Sequence, residues 1–293
     1  MLKSRKDVKD YFSKEAATYH FDSYSFDSGS YPANYFRMKI VLDVLKKRKD
    51  IKRILDVGCG GCEPMVELLK CGFDVQGVDF SDEMLEQGRL RLKENGFDPK
   101  LIYKADFLDK KTLSAEKFDA VLMLGVVGYN KNDDLTMENV SSSLRHGGIT
   151  FVEFPNELFS FYSFNRFSVD LFMDKFWNFS TIPKELQEEL KEFLVKRFDQ
   201  NISFEDYAEK KKCLGGDVPY PMYNPLTICN LFKKHSMRLD KNHFYHFHAL
   251  PPIWEYKAPE LFTELSIAME DPEDWRGHFL CSAFLSEAEK IAV

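Results

Sequence analysis

The stretch ILDVGCGGCEP, residues 54–64, combines residue types that allow a ligand to touch the backbone. Asp56 ends an apolar run, Gly58 and Gly60 follow it, and Pro64 suits the first turn of a helix. Because glycine loses more conformational entropy on folding than any other residue, a glycine cluster is typical of a tight turn or of close ligand contact. The sequence therefore predicts a nucleotide-binding turn between a strand and a helix.

The spacing of these glycines indicates which nucleotide could bind. The dinucleotide pattern G-x-G-x-x-G needs a third glycine three residues after Gly60, where this sequence has Glu63. A carboxylate at that helix end complements the helix dipole but would repel a pyrophosphate. NAD and FAD are therefore disfavoured, and an NAD(P)-dependent oxidoreductase remains an alternative function.

Two further aspartates follow apolar runs, where a parallel sheet would bring them near the glycine turn. Asp79 closes the run DVQGVD, 23 positions after Asp56, and Asp106 follows the run LIYKA. A carboxylate at such a position can accept two hydrogen bonds at once. Because aspartate at a strand end is also a common turn residue, the combination carries more weight than either residue alone.

Candidate proton acceptors also follow predicted strands. Tyr129 and Glu153 lie after or within the fourth and fifth apolar runs. In the segment HFYHFH, His246 and His248 occupy alternate positions, which share one face of a strand, with Tyr245 and Phe247 on the other. Either histidine could act as a general base or line a pocket.

Metal binding is not predicted. The two histidines have no third ligand at a suitable spacing. Cys59 and Cys62 form a CxxC, but neither a second CxxC nor a histidine pair follows at zinc-finger spacing. We therefore expect reduced thiols in a cytosolic protein.

The elements that position these residues can be predicted from periodicity. Five apolar runs cover residues 53–58, 74–80, 101–107, 118–125 and 147–154. Helical patterns separate them; one begins at Ser81, a favoured N-cap, and ends at Gly96. Strands that alternate with helices imply a parallel sheet with right-handed crossovers.

The end of the chain extends this sheet. Residues 225–237 are predicted to form a helix, 238–250 a strand and 278–290 a final antiparallel strand, because no long helical pattern precedes the last one. The predicted fold is an α/β, Rossmann-like, seven-stranded, mostly parallel sheet with helices on both faces. Residues 1–50 form an N-terminal helical cover, 51–156 and 223–293 form the core, and 157–222 form a helical insertion that serves as a substrate lid.

At the glycine turn the sequence resembles the class I S-adenosylmethionine-dependent methyltransferases. Their first motif, D-x-G-C-G-x-G, is matched except at its last glycine, which is Cys62 here. The resemblance implies that this loop holds the methionine part of the cofactor, that Asp79 binds the ribose hydroxyls and that Asp106 accepts from the adenine amino group. The residues that it implies around the cofactor are Tyr11, Tyr19, Asp56, Gly58, Cys59, Gly60, Asp79, Phe80, Met84, Asp106, Phe107, Leu124 and Gly125.

Charge and hydropathy limit the possible partners. The formal net charge of -7 argues against nucleic acid or an anionic membrane, and no stretch approaches the ~20 apolar residues of a membrane span. We predict a cytoplasmic enzyme that methylates a small molecule, at oxygen rather than nitrogen, such as a saccharide or specialised metabolite. A non-catalytic, cofactor-binding partner subunit is a second alternative, and no oligomeric state is predicted.

Overall fold

Seven strands form one mixed sheet in the computed structural model of the protein. The structure describes residue 24 and residues 31–109, 117–127, 132–164, 166–173, 182–198, 221–252 and 254–291. The strands are Arg53–Val57 (β1), Asp74–Asp79 (β2), Ile102–Lys104 (β3), Phe118–Met123 (β4), Leu144–Pro155 (β5), Met237–Phe247 (β6) and Cys281–Lys290 (β7). Their order across the sheet is β3-β2-β1-β4-β5-β7-β6. The predicted seven-stranded α/β fold is confirmed.

Strands β1 to β5 are parallel, as the sequence predicts. In the centre of the sheet, Asp56 of β1 is in register with Gly77 of β2 and Leu122 of β4. At the edge, Asp79 of β2 pairs with Lys104 of β3. The carboxyl ends of these strands therefore lie along one edge of the sheet, where ligands bind in open α/β folds.

The last strand is antiparallel to both of its neighbours, β5 and β6, which confirms that prediction. Its predicted start was wrong, because Gly277–Leu280 form a short helix before β7 begins. The connection from β6 also contains the helices Trp254–Lys257 and Pro259–Ile267. Each is shorter than the ten or so residues over which helical periodicity becomes visible in a sequence.

Helices pack on both faces of the sheet, as expected for buried parallel strands. The helices are Ala33–Leu45 (α1), Glu63–Lys70 (α2), Asp82–Glu94 (α3), Asp133–Ser143 (α4), Ser160–Ser163 (α5), Arg166–Leu171 (α6), Lys184–Phe198 (α7), Cys229–Lys234 (α8), Trp254–Lys257 (α9), Pro259–Ile267 (α10) and Gly277–Leu280 (α11). One buried cluster joins α1, α2 and α3 to the sheet, and a second joins α4 and α8 to its other face. The hydroxyl of Ser81 accepts from Met84 N at 3.3 Å and caps α3, as predicted.

The described parts of the predicted insertion are helical. They comprise α5, α6, α7 and a single 3-10 turn at Glu157–Phe159. On α7, Leu194 is buried, whereas Leu186 and Phe193 are exposed. The role of this segment as a substrate lid stays a prediction, and of the N-terminal cover the structure describes Tyr24 and residues 31–50.

Candidate active site

The turn after β1 is held against the end of β2 by backbone hydrogen bonds. The amides of Gly58 and Cys59 both donate to the carbonyl of Val78, at 2.7 and 3.0 Å. Gly58 has a φ of 70° and Gly60 a φ of 47°, a left-handed conformation that favours glycine. A Cβ at Gly58 would also overlap the side chain of Val126, so this position has no room for a larger residue.

Cys62 takes the place of the last motif glycine and keeps a glycine-like backbone. Its φ is 67°, which costs an L-residue about 1–2 kcal/mol, and it precedes the first residue of α2. Its side chain is fully buried, and the turn hydrogen bond from Cys62 N to Cys59 O measures 2.8 Å. The turn therefore retains its left-handed geometry despite the substitution in the motif.

Gly88 allows α3 to approach this turn closely, and Gly88→Ala should disrupt the contact. A Cβ there would lie 2.8 Å from the carbonyl oxygen of Gly60 and 2.6 Å from Cys62 Sγ. Alanine improves helix propensity by about 1 kcal/mol, but overpacking against a fixed carbonyl costs up to about 3 kcal/mol. We expect a net loss of roughly 1–2 kcal/mol in the free energy of unfolding, measured by urea denaturation. Gln87→Ala, on the exposed side of α3, is the control and should be neutral or slightly stabilising.

Asp79 connects the glycine turn to the start of α3. Its Oδ2 accepts from Gly60 N at 3.1 Å and its Oδ1 accepts from Ser81 N at 2.8 Å. Burial raises the pKa of Asp79, while backbone hydrogen bonds from Ser81, Gly60 and Phe80 oppose that rise. Because a carboxylate offers about four lone-pair sites, each oxygen can accept one more hydrogen bond from a ligand hydroxyl.

The other predicted cofactor residues follow neighbouring strands at the same edge. Phe80 leaves β2, and Met84 is buried in the first turn of α3. After β3, Asp106 Oδ1 accepts from Leu108 N at 3.0 Å, and Phe107 is buried. After β4, Leu124 is buried and Gly125 has a φ of 75°. The predicted lid residues Tyr11 and Tyr19 lie outside the described residues.

Asp56 and Arg37 carry buried polar atoms that lack a hydrogen-bond partner among the described residues. These atoms are Asp56 Oδ2 and Arg37 Nε. Asp56 is 2% exposed and Arg37 is 6% exposed. The two side chains are close enough to each other for the charge of Arg37 to affect the pKa of Asp56. A carboxylate and a guanidinium with open hydrogen-bonding positions match the ammonium and carboxylate of an amino acid. This pair fits the methionine part of S-adenosylmethionine.

The ionisation of Asp56 should make stability depend on pH. Burial raises the pKa of Asp56 to about 7, so the folded protein binds this proton more tightly than the unfolded chain. The contribution of this carboxyl to the free energy of unfolding is therefore greatest below about pH 4. It decreases as the pH rises to about 7, by up to about 1.4 kcal/mol per pH unit. We expect Asp56→Asn to raise the melting temperature of the ligand-free protein more at pH 8 than at pH 5.

Asp119→Asn is the matched control, because its pKa is displaced in the opposite direction. Although burial acts to raise it, hydrogen bonds from Arg53 N, Arg145 and Lys52 N lower the pKa of Asp119 below its usual value. Its ionised form stabilises the fold, so removing it should lower the melting temperature at both pH values. Equal shifts for Asp56→Asn at pH 5 and pH 8 would contradict the assignment of a raised pKa.

A buried polar network fixes Arg37 against the end of β5. Arg37 Nη1 forms an ion pair with Glu153 Oε2, Tyr245 Oη donates to Glu153 Oε1, and Arg37 Nη2 donates to Tyr24 Oη at 3.1 Å. Arg37, which lies on α1, therefore reaches a carboxylate in the interior. Both oxygens of Glu153 are engaged by protein groups, and its predicted catalytic role stays a prediction.

The two histidines of the segment HFYHFH lie side by side. The rings of His246 and His248 are 4.7 Å apart, and His248 is buried against Phe159. The prediction that Tyr245 and Phe247 share a face was wrong, because these side chains belong to the two different core clusters. His246 has a φ of 62°, which breaks the alternation of the strand.

Three residues around His246 were missed by sequence reasoning. Ser282 Oγ lies 2.8 Å from His246 Nδ1, and Tyr31 stacks on the imidazole with 4.9 Å between ring centroids. Glu270 accepts from the Tyr31 hydroxyl and from Phe247 N, and burial raises its pKa to about 7. No local pattern marks these residues, which come from three distant segments. Tyr129 lies outside the described residues.

The described residues contain no group of three or more side chains that could hold a metal ion. The cysteines in these ranges, Cys59, Cys62, Cys71, Cys229 and Cys281, are free thiols. No helix among the described residues is long and apolar enough to cross a membrane.

Comparison with known protein families identifies the family to which the chain belongs. Residues 48–202, more than half of its length, match the family model described as a methyltransferase domain. The chain therefore belongs to the methyltransferase domain family. This match confirms the predicted resemblance to class I S-adenosylmethionine-dependent methyltransferases, and with it the enzyme class and the cofactor.

Two curated relatives are similar to this chain over part of their length. The ubiquinone biosynthesis O-methyltransferase of Chelativorans sp. (strain BNC1) is 39% identical over 103 residues, which are 34% of this chain and 39% of that protein. The glycine N-methyltransferase of Mus musculus is 34% identical over 126 residues, 38% of this chain and 43% of that protein. The chain thus spans about two fifths of the length of the curated relatives that it matches.

A solved structure supports the fold over nearly the whole chain. The magnesium protoporphyrin IX methyltransferase of Synechocystis PCC 6803, with bound S-adenosylhomocysteine, superposes with a TM-score of 0.55 at 13% identity. The alignment covers 98% of this chain and 99% of that one. At this identity the likeness concerns the fold.

Proposed function

We propose that the protein transfers the methyl group of S-adenosylmethionine to a small-molecule acceptor, at oxygen rather than nitrogen. The observation that carries the proposal is the pair of buried, unsatisfied atoms, Asp56 Oδ2 and Arg37 Nε, beside a glycine turn with left-handed backbone. Such a pair is costly to bury unless a ligand completes its hydrogen bonds. An amino acid attached to adenosine would do so.

The remaining contacts follow from the same edge of the sheet. Asp79 would accept from the ribose hydroxyls and Asp106 from the adenine amino group, with Phe80, Met84 and Phe107 around the ring. The turn at Gly58, Cys59 and Gly60 and the exit of β4 at Leu124 and Gly125 would lie against the methionine part. Tyr11 and Tyr19 would close over the bound cofactor.

The cofactor supplies an electrophilic methyl on a sulfonium, so the protein has to position a nucleophile and exclude water. A hydroxyl acceptor must also lose a proton, for which Tyr129, His246 and His248 are the candidate acceptors and Glu153 the neighbouring carboxylate. The predicted insertion, residues 157–222, would enclose the acceptor. An oxygen acceptor is supported by the similarity to an O-methyltransferase. Because an N-methyltransferase is also similar, the experiment below includes nitrogen acceptors.

The first experiment measures which cofactor the protein binds. Isothermal titration and thermal shift should show binding of S-adenosylhomocysteine, with a stabilisation of about 2.7 kcal/mol at a hundredfold excess over Kd, and none with NADH or NADPH. Because the ligand ammonium favours ionised Asp56, affinity should rise from pH 6 to pH 8, and Asp56→Asn should remove this dependence. Binding of nicotinamide cofactors alone would instead establish an oxidoreductase.

The second experiment measures which class of acceptor is methylated. The protein is incubated with S-adenosylmethionine and 3,4-dihydroxybenzoate, glycine or an amino sugar, and S-adenosylhomocysteine is measured by mass spectrometry. We expect turnover with a hydroxyl acceptor. Cofactor binding without turnover until another protein is added would support the partner-subunit alternative.

A further inference from the structure

A small cavity lies beyond the carboxyl ends of β4 and β5, beside the proposed methionine site. Its volume is about 150 Å³, and its lining residues are Gly125, Val127, Glu153, Pro155, Ser282 and Ala283. Both Glu153 oxygens are already engaged by Arg37 and Tyr245. Among the lining residues that the structure describes, Ser282 is the one that offers a hydroxyl.

The hydroxyl of Ser282 is coupled to His246. Ser282 Oγ and His246 Nδ1 are 2.8 Å apart, across the antiparallel pair β6 and β7. The imidazole is held from one side by Tyr31, whose own hydroxyl donates to Glu270. The arrangement is a cavity-lining hydroxyl backed by an oriented imidazole, an arrangement suited to proton transfer.

The backbone of His246 is strained in a way that fixes this orientation. Its φ of 62° is the left-handed conformation, which a residue with a side chain adopts uncommonly. Glu270 accepts from Phe247 N at 3.0 Å immediately after it, which helps to hold the conformation. Such strain is characteristic of sites where a side chain has to be aimed.

We propose that Ser282 and His246 form a two-residue proton relay for a hydroxyl acceptor bound in this cavity, an inference that rests on the proposed methyl transfer. The acceptor oxygen forms a bond to the methyl carbon, and the carbon–sulfur bond breaks with its electron pair going to sulfur. The acceptor proton passes to Ser282 Oγ as the serine proton passes to His246 Nδ1. The positive charge thus leaves the sulfonium and ends on the imidazole.

The groups around His246 act on its protonation state in opposite directions. They are Tyr31 before α1, Glu153 on β5, His248 after β6, Glu270 after α10 and Ser282 on β7. Burial lowers the pKa of His246 to about 4, with the charge of Glu153 acting in the opposite direction. The ring is therefore neutral at physiological pH, and the Glu153 carboxylate favours the imidazolium formed during transfer.

The first test reads the histidine tautomer in the ligand-free protein. The relay requires a neutral His246 with its proton on Nε2, so that Nδ1 accepts from Ser282. Long-range proton–nitrogen NMR at pH 7, with the signal assigned by its absence in His246→Asn, should show this tautomer. Asn is chosen because it tolerates a positive φ. A proton on Nδ1, or an imidazolium, would overturn the proposal.

The second test probes the cavity with sinefungin, a cofactor analogue in which a carbon replaces the sulfur and carries an amine at the position of the methyl group. Its ammonium should donate to Ser282 Oγ, and Ser282→Ala should lower the ratio of sinefungin to S-adenosylhomocysteine affinity by roughly tenfold or more. Ser286→Ala is the matched control, because Ser286 lies on the same strand and donates to Asn242 Oδ1 at 2.7 Å. It should leave the ratio unchanged.

The two ligands separate the possible failures. An unchanged ratio in Ser282→Ala, with normal binding of S-adenosylhomocysteine, would exclude Ser282 as the contact to the acceptor while the methyltransferase function stands. Absence of S-adenosylhomocysteine binding in the unmodified protein would contradict the proposed function itself.

Discussion

Replacing Arg37 with methionine should lower the free energy of unfolding by about 3–5 kcal/mol and abolish measurable binding of S-adenosylhomocysteine. The side chains of Arg37 and Glu153 are only 7% and 16% exposed, so removing the cation leaves a buried carboxylate without its counter-charge. Burial acts against the charge of Arg37, but Glu153 holds the pKa of the guanidinium well above its usual value. Urea denaturation and calorimetric titration measure the two effects.

A double variant separates stability from binding. Arg37→Met with Glu153→Gln removes both charges, while the new amide oxygen still accepts from Tyr245. Because replacing a whole buried ion pair is often nearly neutral, most of the lost stability should return, whereas S-adenosylhomocysteine binding should not. Recovery of binding in the double variant would show that Arg37 does not hold the cofactor carboxylate.

Arg145→Met is the control for a less buried pair. Arg145 binds Asp119 near the opposite end of the sheet, with side chains 34% and 18% exposed. Solvent screening limits such pairs to about 1 kcal/mol or less. We expect a small loss of stability and no change in ligand affinity.

The parts of the site that the sequence predicts are those coded locally. The glycine turn, Asp79 and the N-cap at Ser81 depend on neighbours within a few residues, and strand ends in a parallel sheet meet at one edge. A motif with its following strand and helix is therefore enough to place them. The same logic predicted a mostly parallel sheet from the alternation of strand and helix patterns.

The polar network behind the site could not be predicted in this way. Arg37 and Glu153 are 116 positions apart, and Tyr245 is 92 positions from Glu153. Their contacts depend on how α1 packs on the sheet and how β6 is added at its far edge. The left-handed conformation of His246 was not predicted either, because its alternating apolar segment is typical of extended strand backbone and histidine reaches positive φ only uncommonly.

Asp79→Asn should weaken S-adenosylhomocysteine binding by about a hundredfold or more, because Asp79 positions both the turn and the ligand. Each carboxylate oxygen accepts from a backbone amide, Gly60 N and Ser81 N. An asparagine offers one acceptor oxygen, so its amide nitrogen would face one of these two N–H donors. A buried donor left unpaired costs about 1–3 kcal/mol, and the ribose would lose its acceptor as well.

The comparison of Asp79 with Arg37 locates the two ends of the cofactor. Methylthioadenosine has the adenosine but lacks the amino acid, so Asp79→Asn should weaken its binding as it weakens that of S-adenosylhomocysteine, whereas Arg37→Met with Glu153→Gln should leave its affinity unchanged. Asp74→Asn is the control, since Asp74 begins the same strand and forms an exposed ion pair with Arg53 at 3.5 Å. Unaltered methylthioadenosine affinity in Asp79→Asn would mean that the ribose lies elsewhere, because this substitution removes an acceptor oxygen while keeping the size of the side chain.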